Sequence, residues 1–257
     1  VLLLVTLRAV GPAQPSPAET MVDRPPEESF KLGNEFFHAG LYPKAIEAYA
    51  DCVRLRPEYK EAWYNLGIAY SQTGNYQKEI ETYQKAIALD PAYSKAMYNL
   101  AMAYEALGNK EAAAKQYAAV LKLEPDSADA LNNVGILHAS RGAWSDAESA
   151  YKQALEVDPD AAETWFNLGI TYGRMAAAAT SEDVRKSATA RELDAYRRGV
   201  EKDPRFYKAW FNMAIVYNRL KEVDLEIGAY QKTLEARRDF PLALYNLAYA
   251  FMEKGET

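Results

Sequence analysis

The chain has 257 residues, of which 49% are hydrophobic and 26% charged, the ordinary composition of a soluble globular protein. Its formal net charge of −6 argues against binding to nucleic acids, because phosphate binding requires a basic surface. Cys52 is the only cysteine, so an internal disulfide is excluded.

Residues 1–25 differ in composition from the rest of the chain. Val1–Leu7 is apolar but too short to cross a bilayer. Two interpretations stay open: Val1–Ala13 is the remnant of a secretory signal, or Met21 is the initiator. The first predicts an exported protein, periplasmic or membrane-anchored, with membrane contact only through that lost segment, and the second predicts a cytoplasmic one. The prolines of Gly11–Glu28 predict an extended linker.

A repeat of 34 residues follows the linker and occupies residues 26–257. Asparagines recur at steps of 34, 34, 34, 45 and 34 residues, at Asn65, Asn99, Asn133, Asn167, Asn212 and Asn246. Prolines keep the same spacing at Pro57, Pro91, Pro125, Pro159 and Pro204. The common shift of 11 residues indicates one insertion, at about residues 174–190. The blocks then start near residues 26, 60, 94, 128, 162, 207 and 241, and the last is partial.

Each complete block predicts two helices joined by a short turn. In the second block, Ala62–Gln72 places apolar side chains at helical spacing, and Tyr76–Leu89 resumes that spacing. Gly74 and Asn75 between them predict the turn, and Pro91 ends the second helix. The small residues of the pattern, such as Gly67, predict points where neighbouring helices approach closely.

These residues resemble the tetratricopeptide repeat. The second block matches its pattern at Trp63, Leu66, Gly67, Tyr70, Tyr83, Ala86 and Pro91. It departs at Glu79, where a small residue is usual. The resemblance covers about residues 28–257 and implies an all-α, right-handed superhelical solenoid of stacked antiparallel helix pairs. About six full repeats and a partial seventh would then line a concave groove with the first helix of each pair.

The recurring asparagines are the main candidates for a binding site. Asn65 is rotated away from the buried face set by Trp63 and Leu66, and in this family the position faces the groove. Helices pack about 8–10 Å apart and two extended residues span about 6.6–7 Å, so such a row can follow a peptide backbone. It resembles the asparagine ladder in the repeat domain of O-linked N-acetylglucosamine transferase. The alternative is that these asparagines only bind a neighbouring helix.

Apolar side chains flank the asparagines on the same helices. Aromatic residues precede them, at Tyr64, Tyr98, Phe166, Phe211 and Tyr245, and apolar residues follow three places later, as at Ile68 and Met102. An apolar surface with spaced amides suits a peptide, although packing between helices can use part of it. A different subclass of the family binds the C-terminal carboxylate of its partner with a set of Lys, Asn, Asn, Lys and Arg side chains. Only Asn34, Asn65 and Lys95 match that set in this sequence. Phe30 and Asn99 replace two of its cations.

The sequence gives little support for a catalytic function. His38 and His138 are the only histidines, and the sequence has no paired-histidine metal spacing, phosphate loop or nucleophile elbow. We therefore predict no catalytic residue, metal or cofactor. In the insertion, Ala176–Ala179 favours a longer helical hairpin, with Thr180 or Ser181 capping its second helix. That hairpin is either a solvated excursion or a partner contact.

The predicted function is a non-catalytic scaffold that binds a protein or peptide segment in the groove, and not nucleic acid. Two alternatives stay open. The chain is a module that assembles with copies of itself through exposed repeat ends, or it is the substrate-recruiting arm of a larger enzyme. On the groove hypothesis, replacing Asn99 and Asn133 by alanine weakens a ligand and leaves thermal stability nearly unchanged.

Overall fold

A computed structural model describes residues 24–255, and every regular element in that range is an α-helix. The prediction of an all-α helical repeat is therefore confirmed for this part of the chain. The segment for which a secretory remnant was one of two interpretations, and the first part of the predicted linker, lie outside the described residues. The helices group into two compact units that divide after Asn109.

The first unit contains five helices. They are α1 (Pro26–His38), α2 (Tyr42–Leu55), α3 (Lys60–Gln72), α4 (Tyr76–Leu89) and α5 (Ser94–Ala106). Each helix packs against its neighbour in sequence, so α1 and α2 form one hairpin, α3 and α4 form the next, and α5 lies against α4. We call the first helix of each sequence block the A helix and the second the B helix.

The second unit continues the same order. Its helices are α6 (Lys110–Leu123), α7 (Ala128–Ser140), α8 (Trp144–Val157), α9 (Ala162–Ala178), α10 (Glu182–Lys202), α11 (Tyr207–Leu220), α12 (Val223–Ala236) and α13 (Pro241–Lys254). Again each helix contacts the next one along the chain. A unit of this kind is stabilised mainly by contacts between neighbouring hairpins.

The turns from A to B helices need a left-handed residue. Gly40, Gly74, Gly108 and Gly142 have φ between 70° and 75°, which glycine adopts without steric cost. Lys221 holds the same place between α11 and α12 with φ of 62°, the only non-glycine residue with positive φ in the described range. The sixth block therefore carries backbone strain at a position where four others avoid it.

The loops from B helices to the following A helices are fixed by tryptophan. Trp63, Trp165 and Trp210 each donate their indole N–H to the carbonyl oxygen of the proline six residues earlier, at 2.8–3.0 Å. Asp90 also accepts the N–H of Ala92 at 3.0 Å. In these three blocks the proline and tryptophan of the repeat pattern thus act together to set the direction in which the A helix begins.

A buried tyrosine on each B helix explains the small residue on each A helix. A Cβ atom at Gly67 would lie 2.5 Å from the ring of Tyr83, and one at Gly169 would lie 2.5 Å from the ring of Tyr196. Real side chains do not approach this closely, so the glycines let the ring lie flat against the A helix. The tyrosine rings form the centre of the core in both units.

The insertion lengthens two helices and leaves the turn between them short. Helix α9 has 17 residues where α3 has 13, and α10 has 21 residues where α4 has 14. The differences of four and seven residues account for all 11 inserted residues. Ser181 occupies the N-cap of α10, with Glu182 and Asp183 in its first turn. The result is an extended hairpin in the fifth block.

Ion pairs hold the extended hairpin to the helices on both sides. Arg191 on α10 pairs with Glu148 on α8, and its guanidinium lies 4.0 Å from the centre of the Tyr172 ring. The next residue, Glu192, pairs with Arg219 on α11. Two consecutive residues of one helix therefore contact the preceding and the following block.

Candidate functional site

The six repeated asparagines lie on A helices and are half-buried, so none of them is sealed inside the protein. Asn65 and Asn99 belong to the first unit. Asn133, Asn167, Asn212 and Asn246 belong to the second. The amides of five of them, all except Asn212, also donate hydrogen bonds within the protein, contrary to a purely ligand-facing interpretation.

The partners of these amides follow a rule of spacing. A buried B-helix tyrosine stands 16 residues before each asparagine, at Tyr49, Tyr83, Tyr117, Tyr151, Tyr196 and Tyr230. The amide nitrogen donates to that hydroxyl from Asn99 at 3.5 Å, from Asn133 at 3.1 Å and from Asn246 at 3.0 Å, and the Asn99 amide also donates to the hydroxyl of Tyr64 on the preceding A helix at 3.2 Å. Each bond to a B-helix tyrosine joins an A helix to the B helix that precedes it.

Two other asparagines bond to an amide of the preceding A helix. Asn65 donates to Asn34 at 3.0 Å, and Tyr49 donates to the same oxygen at 2.7 Å. Asn167 donates to Asn132 at 3.1 Å. The asparagines thus connect neighbouring blocks and still offer part of their amide surface to solvent.

The aromatic residues before the asparagines serve mostly in packing. Tyr64 is half-buried, and its ring centre lies 5.1 Å from that of Tyr93. Phe166 and Phe211 are also half-buried, 5.0 Å from Phe206 and 4.9 Å from Phe240 respectively. Tyr98 is half-buried and Tyr245 is exposed. These aromatic residues form one wall of each A-helix face and give up much of their surface to neighbouring loops.

The apolar residues three places after the asparagines are more open. Met102 is 49% exposed and Ile68 is half-buried. The residues at the same position in the other four blocks are also exposed, namely Ile136, Ile170, Ile215 and Tyr249. Within each unit, successive A helices therefore present a partly exposed amide beside an apolar side chain. This is the surface that we take as the candidate site.

Three buried carboxylates were missed as a set by the sequence analysis, which noted only Glu79. Glu79, Glu192 and Glu226 each stand four residues before the B-helix tyrosine, where other blocks have Ala45, Ala113 and Ala147. All three carboxylates are buried, and burial raises the pKa of each. The common separation of four residues between each glutamate and the B-helix tyrosine was the sequence signal that could have revealed them.

Pockets open beside two of these carboxylates. One of about 300 Å³ is lined by residues that include Ile68, Glu79, Tyr83, Asn99 and Met102. A second of about 350 Å³ is lined by the corresponding residues 147 positions later, among them Ile215, Glu226, Tyr230, Asn246 and Tyr249. The candidate surface is therefore indented at equivalent places in the two units.

The remaining reactive side chains have structural surroundings. Cys52 is fully buried, and burial raises the pKa of its thiol to about 11, so it stays protonated at neutral pH. His138 is half-buried on α7, with its Nδ1 atom 4.0 Å from the carboxylate of Asp146. Between residues 24 and 255, no cluster of three metal-binding side chains is found, and no helix combines the length and hydropathy of a membrane span.

Comparison with protein families matches most of the chain. A model described as "Tetratricopeptide repeat" matches residues 30–94, 98–150 and 193–239, and one described as "TPR repeat" matches residues 137–175. No curated protein sequence matches.

Solved structures of this fold are similar over most of their length. A tetratricopeptide repeat protein from Parabacteroides merdae has a TM-score of 0.69 and 20% identity, covering 90% of this chain and 87% of that one. MamA from Desulfovibrio magneticus has a TM-score of 0.61 and 20% identity, covering 72% and 99%. YrrB, described as a TPR protein with an unusual peptide-binding site, has a TM-score of 0.58 and 17% identity, covering 78% and 98%. At these identities the likeness shows the fold alone.

Proposed function

The chain belongs to the tetratricopeptide repeat family, and from this premise we propose that it is a non-catalytic scaffold that binds an extended segment of a partner protein along its A helices. The observation that carries the proposal is the row of half-buried amides, Asn65 and Asn99 in one unit and the four later asparagines in the other. Beside each amide lies an apolar side chain, exposed in all but one case.

The chemistry of the amide suits a peptide backbone. An asparagine side chain offers two N–H donors and an oxygen acceptor, so it can bond a backbone carbonyl or N–H without charge. Neighbouring helices are about 8–10 Å apart and extended peptide rises about 3.3 Å per residue, so one amide would meet the bound segment every two to three residues. The apolar residues beside the amides would take alternate side chains of that segment.

A known protein of the same fold supports this class of ligand. YrrB is described as carrying a peptide-binding site on a tetratricopeptide fold. The chemistry of the A helices in this chain, with amides and apolar groups rather than clustered charge, favours a ligand recognised mainly through its backbone.

The internal bonds of the asparagines change one expectation. Asn99→Ala and Asn133→Ala each remove a bond to a tyrosine hydroxyl. We therefore expect each substitution to cost roughly 0.5–1.5 kcal/mol of folding stability, rather than none. A loss of binding in Asn133→Ala needs a control that breaks its bond to the Tyr117 hydroxyl and leaves the amide in place.

Tyr117→Phe supplies that control. The ring of Tyr117 is buried, so its hydroxyl cannot reach a ligand on the surface. The probe is a set of peptides selected on the full chain from a phage-displayed library of random 12-residue sequences. We expect the double asparagine variant to weaken their binding by about tenfold or more, the loss of about two net hydrogen bonds, and Asn133→Ala alone to weaken it by about half of that free energy. Tyr117→Phe should bind as the parent does.

Two results would contradict the proposal. The first is equal weakening in the tyrosine and asparagine variants, which would show that the amides act only through packing. The second is failure of the library to yield any peptide that binds the parent chain.

A further inference from the structure

The carboxylates that replace alanine on three B helices are satisfied in different ways. Glu226 accepts both of its hydrogen bonds from the amide of Asn218, each at 3.1 Å. Glu192 pairs with the guanidinium of Arg219, which reaches it from the following A helix. Each of these buried carboxylates therefore has a hydrogen-bond donor inside the chain.

Glu79 is the exception. It is 4% exposed, and its Oε2 atom is buried with no hydrogen-bond partner among the described residues. The hydroxyl of Ser71 bonds to this carboxylate and favours its charged form. A buried acceptor without a partner costs roughly 1–3 kcal/mol, and ordinary folded proteins seldom keep one without a reason.

The comparison with Glu192 shows what is missing at Glu79. Arg219 stands seven residues after Asn212, and the residue seven after Asn99 is Ala106. Ala106 lines the pocket beside Glu79, so the space that a guanidinium would reach through is open. The same fold position thus holds an internal cation in one block and an open pocket in another.

We propose that the pocket at Glu79 receives the guanidinium group of an arginine side chain from the bound partner segment. This inference rests on the proposed function, because the pocket opens on the same A-helix surface and includes Asn99. It adds a preference for a side chain to a site that otherwise recognises backbone. Arg219 on Glu192 is the internal example of the same pair.

The remaining walls of the pocket suit this group. Tyr83 and Asn99 supply polar atoms near the base, while Ile68, Met102 and Ala103 supply apolar surface for the methylene groups of arginine. Met102 and Gln72 are exposed, so they can turn aside as the guanidinium reaches Oε2. A charged hydrogen bond formed in such a site is stronger than one in water.

The library selection described above tests the preference directly. Peptides selected on the parent chain should be enriched in arginine at one position, and the enrichment should vanish when selection uses Glu79→Gln, which keeps the shape and removes the charge. In a selected peptide, replacing that arginine by citrulline should weaken binding to the parent by about tenfold or more. The same replacement should change binding to Glu79→Gln little.

A second variant copies the internal pair into the pocket. Ala106→Arg should place a cation on Glu79, remove the arginine preference and raise Tm by about 2–4 °C. The rise should be absent when Glu79→Gln is added. No rise with Glu79 present would show that the pocket does not accept a guanidinium, and this would overturn the inference.

The outcomes separate the two proposals. Peptides that bind without arginine enrichment, or whose preference survives Glu79→Gln, would overturn the pocket assignment and leave backbone recognition standing. A library that yields no peptide for the parent chain would overturn both.

Discussion

At the scale of the residue, one side chain type serves two purposes. Asn99, Asn133 and Asn246 each give an N–H to a tyrosine hydroxyl on the preceding B helix. Because the hydroxyl belongs to a buried ring, the bond also gives a partner to a polar atom in the core. The amide stays half-exposed in the same position, which is what a binding role requires.

Glu79 allows a prediction on pH and stability. Burial raises the pKa of its carboxyl in the folded state, and the described residues that line its pocket include no basic side chain and no second carboxylate. Below the ordinary pKa of glutamate, the Glu79 carboxyl is protonated in both the folded and the unfolded state. Its ionisation then costs no folding free energy. Above the raised pKa, the unfolded state ionises freely and the folded state loses stability.

Glu79→Ala should therefore stabilise the protein by roughly 1–3 kcal/mol at pH 7.5 and by little at pH 4. Urea unfolding at the two pH values measures both gains. Glu148→Ala is the control: burial acts to raise the pKa of Glu148, but its bonds to Lys152 and Arg191 lower it overall, so we expect no gain from that variant at pH 7.5. A gain from Glu79→Ala that is equal at both pH values would refute the assignment to the buried charge.

At the scale of the element, the turns from A to B helices are set by one backbone conformation. The sequence predicted these turns correctly from glycine, because the left-handed region is open to glycine and costs other residues about 1–2 kcal/mol. It did not reveal that Lys221 has the same conformation, since a lysine carries no signal of positive φ.

Lys221→Gly should stabilise the second unit by about 0.5–1 kcal/mol, and Gly74→Ala should destabilise the first by about 1–2 kcal/mol. No atom lies within 4 Å of a Cβ at Gly74, so its cost is that of the backbone alone. A Cβ atom at Gly228 in α12 also has no atom within 4 Å, and the φ of Gly228 is not positive. Gly228→Ala should therefore stabilise the protein. Urea midpoints of the three variants check these signs, and a gain from Gly74→Ala would disprove the explanation.

The extended hairpin is a second case at this scale. Its sequence indicated longer helices, because alanine favours helix and the turn signals stand at Thr180 and Ser181. The ion pairs that hold it, from Arg191 to Glu148 and from Glu192 to Arg219, join residues far apart in sequence. No local pattern could have predicted such pairs.

Arg219→Ala should cost roughly 1.5–3 kcal/mol, because it leaves Glu192 buried without its cation. Adding Glu192→Ala should restore most of this stability, since alanine is the residue that three other blocks have at that place. Thermal unfolding of the single and double variants measures the coupling. If the double variant is no more stable than the single one, the pair does not hold the hairpin as described.

At the scale of the whole molecule, the period of 34 residues predicted the fold, since regular spacing of tryptophan, glycine, tyrosine and proline is a strong signal. The candidate site was predicted only in part. The sequence located the asparagines and the apolar residues beside them on one face of the A helices, because helical spacing determines that face. Their bonds to buried tyrosines and the pocket at Glu79 depend on distances between helices, which spacing along one helix does not contain.

The central claim is that the A-helix amides contact the backbone of a bound partner segment. The most direct test is the NMR spectrum of the asparagine side-chain amides during titration with a library-selected peptide. We expect the amide signals of Asn65 and Asn99 to shift together, or those of the four later asparagines, while Asn75 in the α3–α4 turn stays unchanged. Shifts confined to Asn75 or to the backbone of B helices, with all six A-helix amides unmoved at saturation, would contradict the account.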